Sequence, residues 1–140
     1  MNLVSIRIIT DDVARLVAFY ERVTEVRASW LNEDFAELRG ASATLAIGST
    51  RTVALFAPGS AFPADNRSAI IEFLVDDVDS AYERLTGFVE DFVNEPTTMP
   101  WGNRALLFRD PDGNLVNLFT PVTPAAIEKF TRSRPHGSPR

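Results

Sequence analysis

Ile70-Ile71-Glu72-Phe73-Leu74-Val75-Asp76-Asp77-Val78-Asp79-Ser80-Ala81-Tyr82-Glu83-Arg84-Leu85 opens as a strand and continues as a helix. Its first six residues are mostly aliphatic or aromatic, as a strand requires. Asp76-Asp77 then offers the short side-chain oxygens that cap a helix N-terminus. Val78, Ala81, Tyr82 and Leu85 follow at the spacing of one helix face. The same order stands 65 residues earlier. Val4, Ile6 and Ile8 alternate with Ser5, Arg7 and Ile9, Asp11-Asp12 is the cap, and Val13, Leu16, Val17 and Tyr20 form the helix face. Four apolar positions and two Asp pairs in one register indicate an internal duplication.

Each half continues with further strands. In the first half the candidates are residues 26–31, 35–38, 43–47 and 52–56; residues 35–47 read either as one bulged strand or as a hairpin. In the second half they are residues 89–93, 103–109 and 114–119. Val53-Ala54-Leu55-Phe56 resembles Val116-Asn117-Leu118-Phe119 and is read as the matching end of its half. Residues 58–67, rich in Pro, Gly, Ser and Ala, form the linker. The modules thus span about residues 1–57 and 68–122 of one domain, residues 1–122. Residues 95–100 are a second loop, a short helix follows Thr123, and residues 123–140 end in a tail rich in Arg and Pro.

Composition narrows the class. The chain has 140 residues, enough for one domain with a real core. It has no cysteine, which excludes disulfides and thiolate metal sites and fits a reducing, cytoplasmic setting. There is neither a basic stretch leading into an apolar run nor a span of about 20 apolar residues, so neither a signal peptide nor a membrane helix is expected. The net charge of −5 argues against nucleic acid and favours neutral or cationic ligands, although it also simply aids solubility.

The pattern resembles the glyoxalase, bleomycin-resistance and extradiol-dioxygenase superfamily, the vicinal oxygen chelate proteins. The resemblance runs from Leu3 to about Thr120. It rests on Asp11-Asp12 with Ala18-Phe19-Tyr20, on Phe73-Leu74-Val75-Asp76-Asp77-Val78, on Pro100-Trp101-Gly102 and on Asp110-Pro111-Asp112-Gly113-Asn114. The last is the most specific, although by itself it is only a tight turn. The resemblance implies an α+β fold of two tandem βαβββ modules, whose curved mixed sheets form a cup around one cavity.

Metal-dependent members carry His or Glu at positions that fall on Ser5, Ile70 and Asn117 of this chain. Ser5 and Ile70 are 65 residues apart, as the duplication demands. A hydroxyl, an alkyl group and an amide are not the imidazole or carboxylate set of a catalytic divalent ion. His136, the single histidine, lies in the tail. No metal or other cofactor is therefore expected. Two residues deeper on the same strand faces stand Arg7 and Glu72. They either pair with each other at the centre of the cup or contact a polar ligand, Arg7 being suited to carboxylate or phosphate.

Flat aromatic walls suit planar or amphipathic ligands. Trp30, before the polar Asn32-Glu33-Asp34, and Trp101, in its Pro-Gly loop, are ligand-wall candidates, with core or dimer contact as the alternative. Arg104 projects into the cavity or into solvent. The candidate ligand-binding set is thus Ser5, Arg7, Trp30, Ile70, Glu72, Trp101, Arg104 and Asn117. Phosphate-binding Gly-rich loops are absent, and one tail histidine without cysteine cannot build a nucleophilic triad. Three functions follow. The first is metal-independent binding of a small organic ligand, in the manner of drug sequestration by a homodimer. The second is an enzyme of the same superfamily with unusual ligands such as Glu72 and Asn117. The third is a structural or regulatory subunit with a closed cavity.

Overall fold

A computed structural model describes residues 1–132, so His136 lies outside the described residues. The chain divides into two compact units. The first is Met1–Arg67 with Pro111–Gly113, and the second is Ser68–Asp110 with the chain from Asn114 onward. The first unit contains β1 (Ser5–Thr10), α1 (Val13–Thr24), β2 (Ser29–Asn32), β3 (Phe35–Arg39), β4 (Thr44–Ser49) and α2 (Thr50–Ala54). The second contains β5 (Ile70–Leu74), α3 (Val78–Leu85), β6 (Thr97–Thr98), β7 (Asn103–Arg109), β8 (Leu115–Pro121) and α4 (Pro124–Arg132). The sheets run β1-β4-β3-β2 and β5-β8-β7-β6, the first pair of each parallel and the rest antiparallel. The class is α+β, with the expected tandem modules.

The duplicated caps act in both units. Asp12 accepts the amide of Arg15 at the start of α1. Asp77 accepts those of Asp79 and Ser80 at the start of α3. In one unit the helix buries its predicted face, Val13, Leu16, Val17 and Tyr20; in the other Val78, Ala81 and Leu85 are buried and Tyr82 is half-buried. In the first unit the buried sheet residues are Ala36, Leu38, Leu45 and Ile47; in the second they are Leu106, Phe108, Val116 and Leu118. Each buried Val, Leu, Ile or Phe among them contributes about 1.5–3 kcal/mol relative to exposure.

Three strand assignments are corrected. Residues 52–56 are no strand: residues 50–54 are α2, and β4 holds the place parallel to β1 that β8 holds beside β5. Ser49 decides this locally, because its hydroxyl accepts the Arg51 amide and Thr52 Oγ1 donates back to the Ser49 carbonyl at 2.7 Å. The likeness of residues 53–56 to 116–119 is therefore fortuitous. Residues 35–47 are a hairpin, with Gly40 donating to the Ala43 carbonyl. The outer strand of the second sheet is β6, and residues 89–93 reach β7 only as an isolated bridge of Phe92 to Phe108, with Val93 N donating to Leu107 O at 2.8 Å and Arg109 N to Asp91 O at 2.9 Å. Asn94 then interrupts the ladder, its side chain accepting from Leu107 N at 2.7 Å and donating to Ala105 O at 3.4 Å. Residues 26–31 form a strand only from Ser29, because Glu25 ends α1 in the left-handed region and Glu21 holds the Ala28 amide.

Candidate functional site

Strand register sorts the side chains onto two faces of each sheet. One face lies under the long helix. On the other, the open face of the first unit, the rows are Ser5–Thr44–Arg39, Arg7–Ala46–Glu37 and Ile9–Gly48–Phe35. The second unit repeats them as Ile70–Leu115–Arg109, Glu72–Asn117–Leu107 and Leu74–Phe119–Ala105. Ser5, Arg7, Ile70, Glu72 and Asn117 thus all stand on open faces. The other three candidates do not share that position.

In the first unit Arg7 is exposed. Its guanidinium carbon lies 4.9 Å from the centre of the Phe35 ring and 5.4 Å from that of Phe56. Glu37, in the same row, is bonded to Arg39 at 3.4 Å. Gly48 lies beneath Arg7 and Phe35. A Cβ on Gly48 would meet Thr52 Oγ1 at 2.7 Å, Arg7 Cδ at 3.5 Å and Phe35 Cδ2 at 3.6 Å. Phe35, Gly48 and Phe56 were not among the candidates from the sequence. A lone glycine inside an alternating strand was the available signal, since it marks close approach over bare backbone.

In the second unit Asn117 Nδ2 donates to Glu72 Oε2 at 2.9 Å. The Asn117 Oδ1 is buried and has no hydrogen-bond partner among the described residues. Ile70 and Leu74, about half exposed, flank Glu72 along its strand. The result is an exposed carboxylate, backed by an amide whose oxygen is buried, among aliphatic side chains. An unsatisfied buried acceptor costs about 1–3 kcal/mol, which a donor arriving from outside would offset.

Trp30 lies opposite Ala36, on the face of α1 rather than that of Arg7. Trp101 is 69% exposed, on a turn where the Gly102 amide donates to the Met99 carbonyl. Arg104 is partly exposed rather than set on the open face. It lies on the α3 side and forks onto Asp79, with Nε–Oδ2 at 2.9 Å and Nη2–Oδ1 at 3.0 Å. Those hydrogen bonds raise its already high pKa further. It fastens α3 to β7.

A polar groove of about 280 Å³ lies at the carboxyl end of β1, lined by Asp11, Asp12, Glu33, Asp34 and Arg51 among others. Two of its acids have local duties. Asp12 caps α1, and Asp34 accepts from Ser49 at 2.8 Å and Arg51 at 3.1 Å. The Ser49 bond foremost, with that of Arg51, holds the Asp34 carboxyl below its ordinary pKa. Among the described residues no three His, Asp or Glu side chains converge to hold a metal ion. The donors at Ser5, Ile70 and Asn117 do not fit one either, since the Asn117 amide nitrogen is turned onto Glu72. No helix among the described residues is long and apolar enough to cross a membrane.

Known proteins agree with this architecture. Protein YraH of Bacillus subtilis (strain 168), described as uncharacterized, is 26% identical over 125 residues, which covers 85% of this chain and 98% of the relative. A glyoxalase/bleomycin resistance protein/dioxygenase from Nocardioides has 23% identity and a TM-score of 0.71, with 89% of this chain and 85% of that one covered. A glyoxalase/bleomycin resistance protein/dioxygenase family enzyme from Burkholderia phytofirmans PsJN has 16% identity and a TM-score of 0.74, with 87% and 100% covered. At these identities the two structures testify to the fold alone. The family model of the Glyoxalase/Bleomycin resistance protein/Dioxygenase superfamily matches residues 2–118, and the chain belongs to that superfamily.

Proposed function

We propose that this chain binds a small organic molecule without a metal ion, on the open faces of its sheets, as a cytoplasmic homodimer that sequesters its ligand. The observation that carries this reading is the Glu72–Asn117 pair. Its bonded amide, buried acceptor and aliphatic flanks describe a surface that recognises an N–H or cationic donor on an otherwise apolar ligand. Ligand sites of this kind are mostly apolar, with a few placed polar groups.

The test is a thermal-shift screen of amine-bearing and neutral amphipathic drugs in the presence of EDTA, because a ligand that binds only the folded state raises its melting temperature. At least one compound should raise Tm by several degrees, and Asn117→Leu should weaken it at least tenfold. A panel without any shift, or shifts unaffected by Asn117→Leu, would refute the reading. Sedimentation equilibrium tests the dimer.

A second reading, an enzyme with unusual metal ligands such as Glu72 and Asn117, requires the Asn117 amide to turn its oxygen toward Glu72 in place of the nitrogen bonded there. Calorimetric titration with zinc, nickel and manganese separates the two. Stoichiometric binding abolished by Asn117→Leu would favour the enzyme.

A further inference from the structure

Arg7 is the open-face group that the Glu72–Asn117 pair does not explain. It makes no ion pair among the described residues. Its recorded contacts are the rings of Phe35 and Phe56, at 4.9 and 5.4 Å. The acid in its own row, Glu37, stands across the intervening Ala46, about 10 Å away by strand spacing. Glu37 is engaged by Arg39 instead. A guanidinium presents five N–H donors in its plane and bonds carboxylates in fork geometry. The rings supply no carboxylate acceptor, so those N–H donors remain for a ligand.

The surroundings narrow the acceptor. Phe56 is 77% exposed, so an aromatic surface adjoins the cation. Arg7 Cδ and Phe35 Cδ2 both lie over Gly48, 3.5 and 3.6 Å from where its Cβ would stand. Contacts on two rings restrict the guanidinium before any ligand arrives, which lowers the ordering cost of binding. Phosphate is the weaker match. It is tetrahedral and strongly hydrated, no second cation contacts Arg7 among the described residues, and the net charge of −5 repels a dianion more than a monoanion.

We propose that Arg7, Phe35 and Phe56 form a binding site for a planar monocarboxylate, with the carboxylate on the Arg7 edge and the flat apolar part against Phe56. The assignment rests on the reading of the open faces as ligand surfaces and names the ligand class of the first unit. The restriction to monoanions follows from the chain's own charge.

The test is an NMR titration of the full chain, following the arginine Nε–H resonances, with benzoate, benzamide and inorganic phosphate as probes. Benzoate should bind saturably, and benzamide and phosphate at least tenfold more weakly. Arg7→Gln should lose at least tenfold in benzoate affinity and Phe56→Leu about threefold. Both positions are exposed, so circular dichroism should show both variants folded. The benzamide comparison needs no variant. Equal binding of benzoate and benzamide, tighter binding of phosphate, or unchanged binding by Arg7→Gln would overturn the proposal. Failure of benzoate with drugs still binding in the Asn117-dependent screen would refute the Arg7 assignment alone. Failure of both would refute the ligand-binding reading.

Discussion

Where the first unit sets Arg7 beside Ala46, the second sets Glu72 beside Asn117, and one row further on Gly48 in the first answers to Phe119 in the second. The register is shared and the chemistry is opposite. Gly48 leaves space that the Arg7 arm and the Phe35 ring share. Phe119 fills its place, packing on Phe130 of α4 with ring centres 5.1 Å apart. The helix that follows each central strand accounts for the difference. The short α2 stops at Ala54 and leaves Phe56 exposed, whereas the longer α4 returns an aromatic ring to the sheet. A duplicated framework therefore need not keep a duplicated site. Hydrogen-bonded backbone preserves the register, and side chains on the open face are free to diverge.

The largest effect should come from emptying the filled face. Phe119→Ala should cost about 3 kcal/mol in urea unfolding, from lost burial and the cavity left against Phe130. A loss below 1 kcal/mol would mean that α4 does not pack this face in solution. The turns come next. In the second unit Asp110 holds Asn114 twice, accepting its amide at 2.9 Å and its Nδ2 at 2.8 Å, both residues buried. The corresponding hairpin of the first unit has only the Gly40–Ala43 backbone bond recorded across it. Asp110→Ala should cost about 2 kcal/mol by stranding buried donors. Asp110→Asn, which keeps an acceptor, should cost less.

Filling the empty face should cost less again. Gly48→Ala should destabilise by about 1 kcal/mol, since the new methyl displaces Thr52 Oγ1 from its bond to Ser49. The same change should perturb the Arg7 Nε–H resonance. A shift in stability without any change at Arg7 would sever the proposed link between the glycine and the arginine.

The smallest effect is acid sensitivity, shared by both units through different devices. Asp34 is held below the ordinary value of 3.8 first by its Ser49 bond, and Asp77 first by its Ser80 bond. A depressed folded pKa means that the unfolded chain binds more protons in the interval below 3.8. The contribution is therefore complete above about pH 4 and fades as pH falls through the folded values. Asp34→Asn and Asp77→Asn should each flatten the stability profile below pH 4 and leave its slope near neutrality unchanged. Slopes at low pH equal to that of the unaltered chain would show that these bonds do not persist in solution.

Much of the framework was readable in residue order. The 65-residue register, both aspartate caps and both helix faces are local patterns, and periodicity reports them directly. Residues 52–56 misled because Val53, Leu55 and Phe56 are apolar enough for a strand. What turned them into a helix was one hydroxyl cap and a sheet whose slot beside β1 was already taken by β4. Residues 89–93 were half right: they bridge β7 at Phe92, but the Asn94 side chain takes the next bonds and the ladder resumes only at β6. Arg104 was readable only as an alternative between two directions, and a helix aspartate far along the chain settled it.

The sequence by itself determined the duplication, its register, the superfamily and the residue types at Ser5, Ile70 and Asn117. The duplication and its register follow from spacing along the chain, and the superfamily and the significance of those three positions follow from the resemblance of its motifs. Tertiary structure decided which polar groups meet: Asn117 with Glu72, Arg104 with Asp79, Arg7 with Phe35 and Phe56. Those encounters join residues from separate elements. Their geometry is fixed by strand pairing and by the space a glycine leaves, and neither is visible in the spacing of the residues themselves.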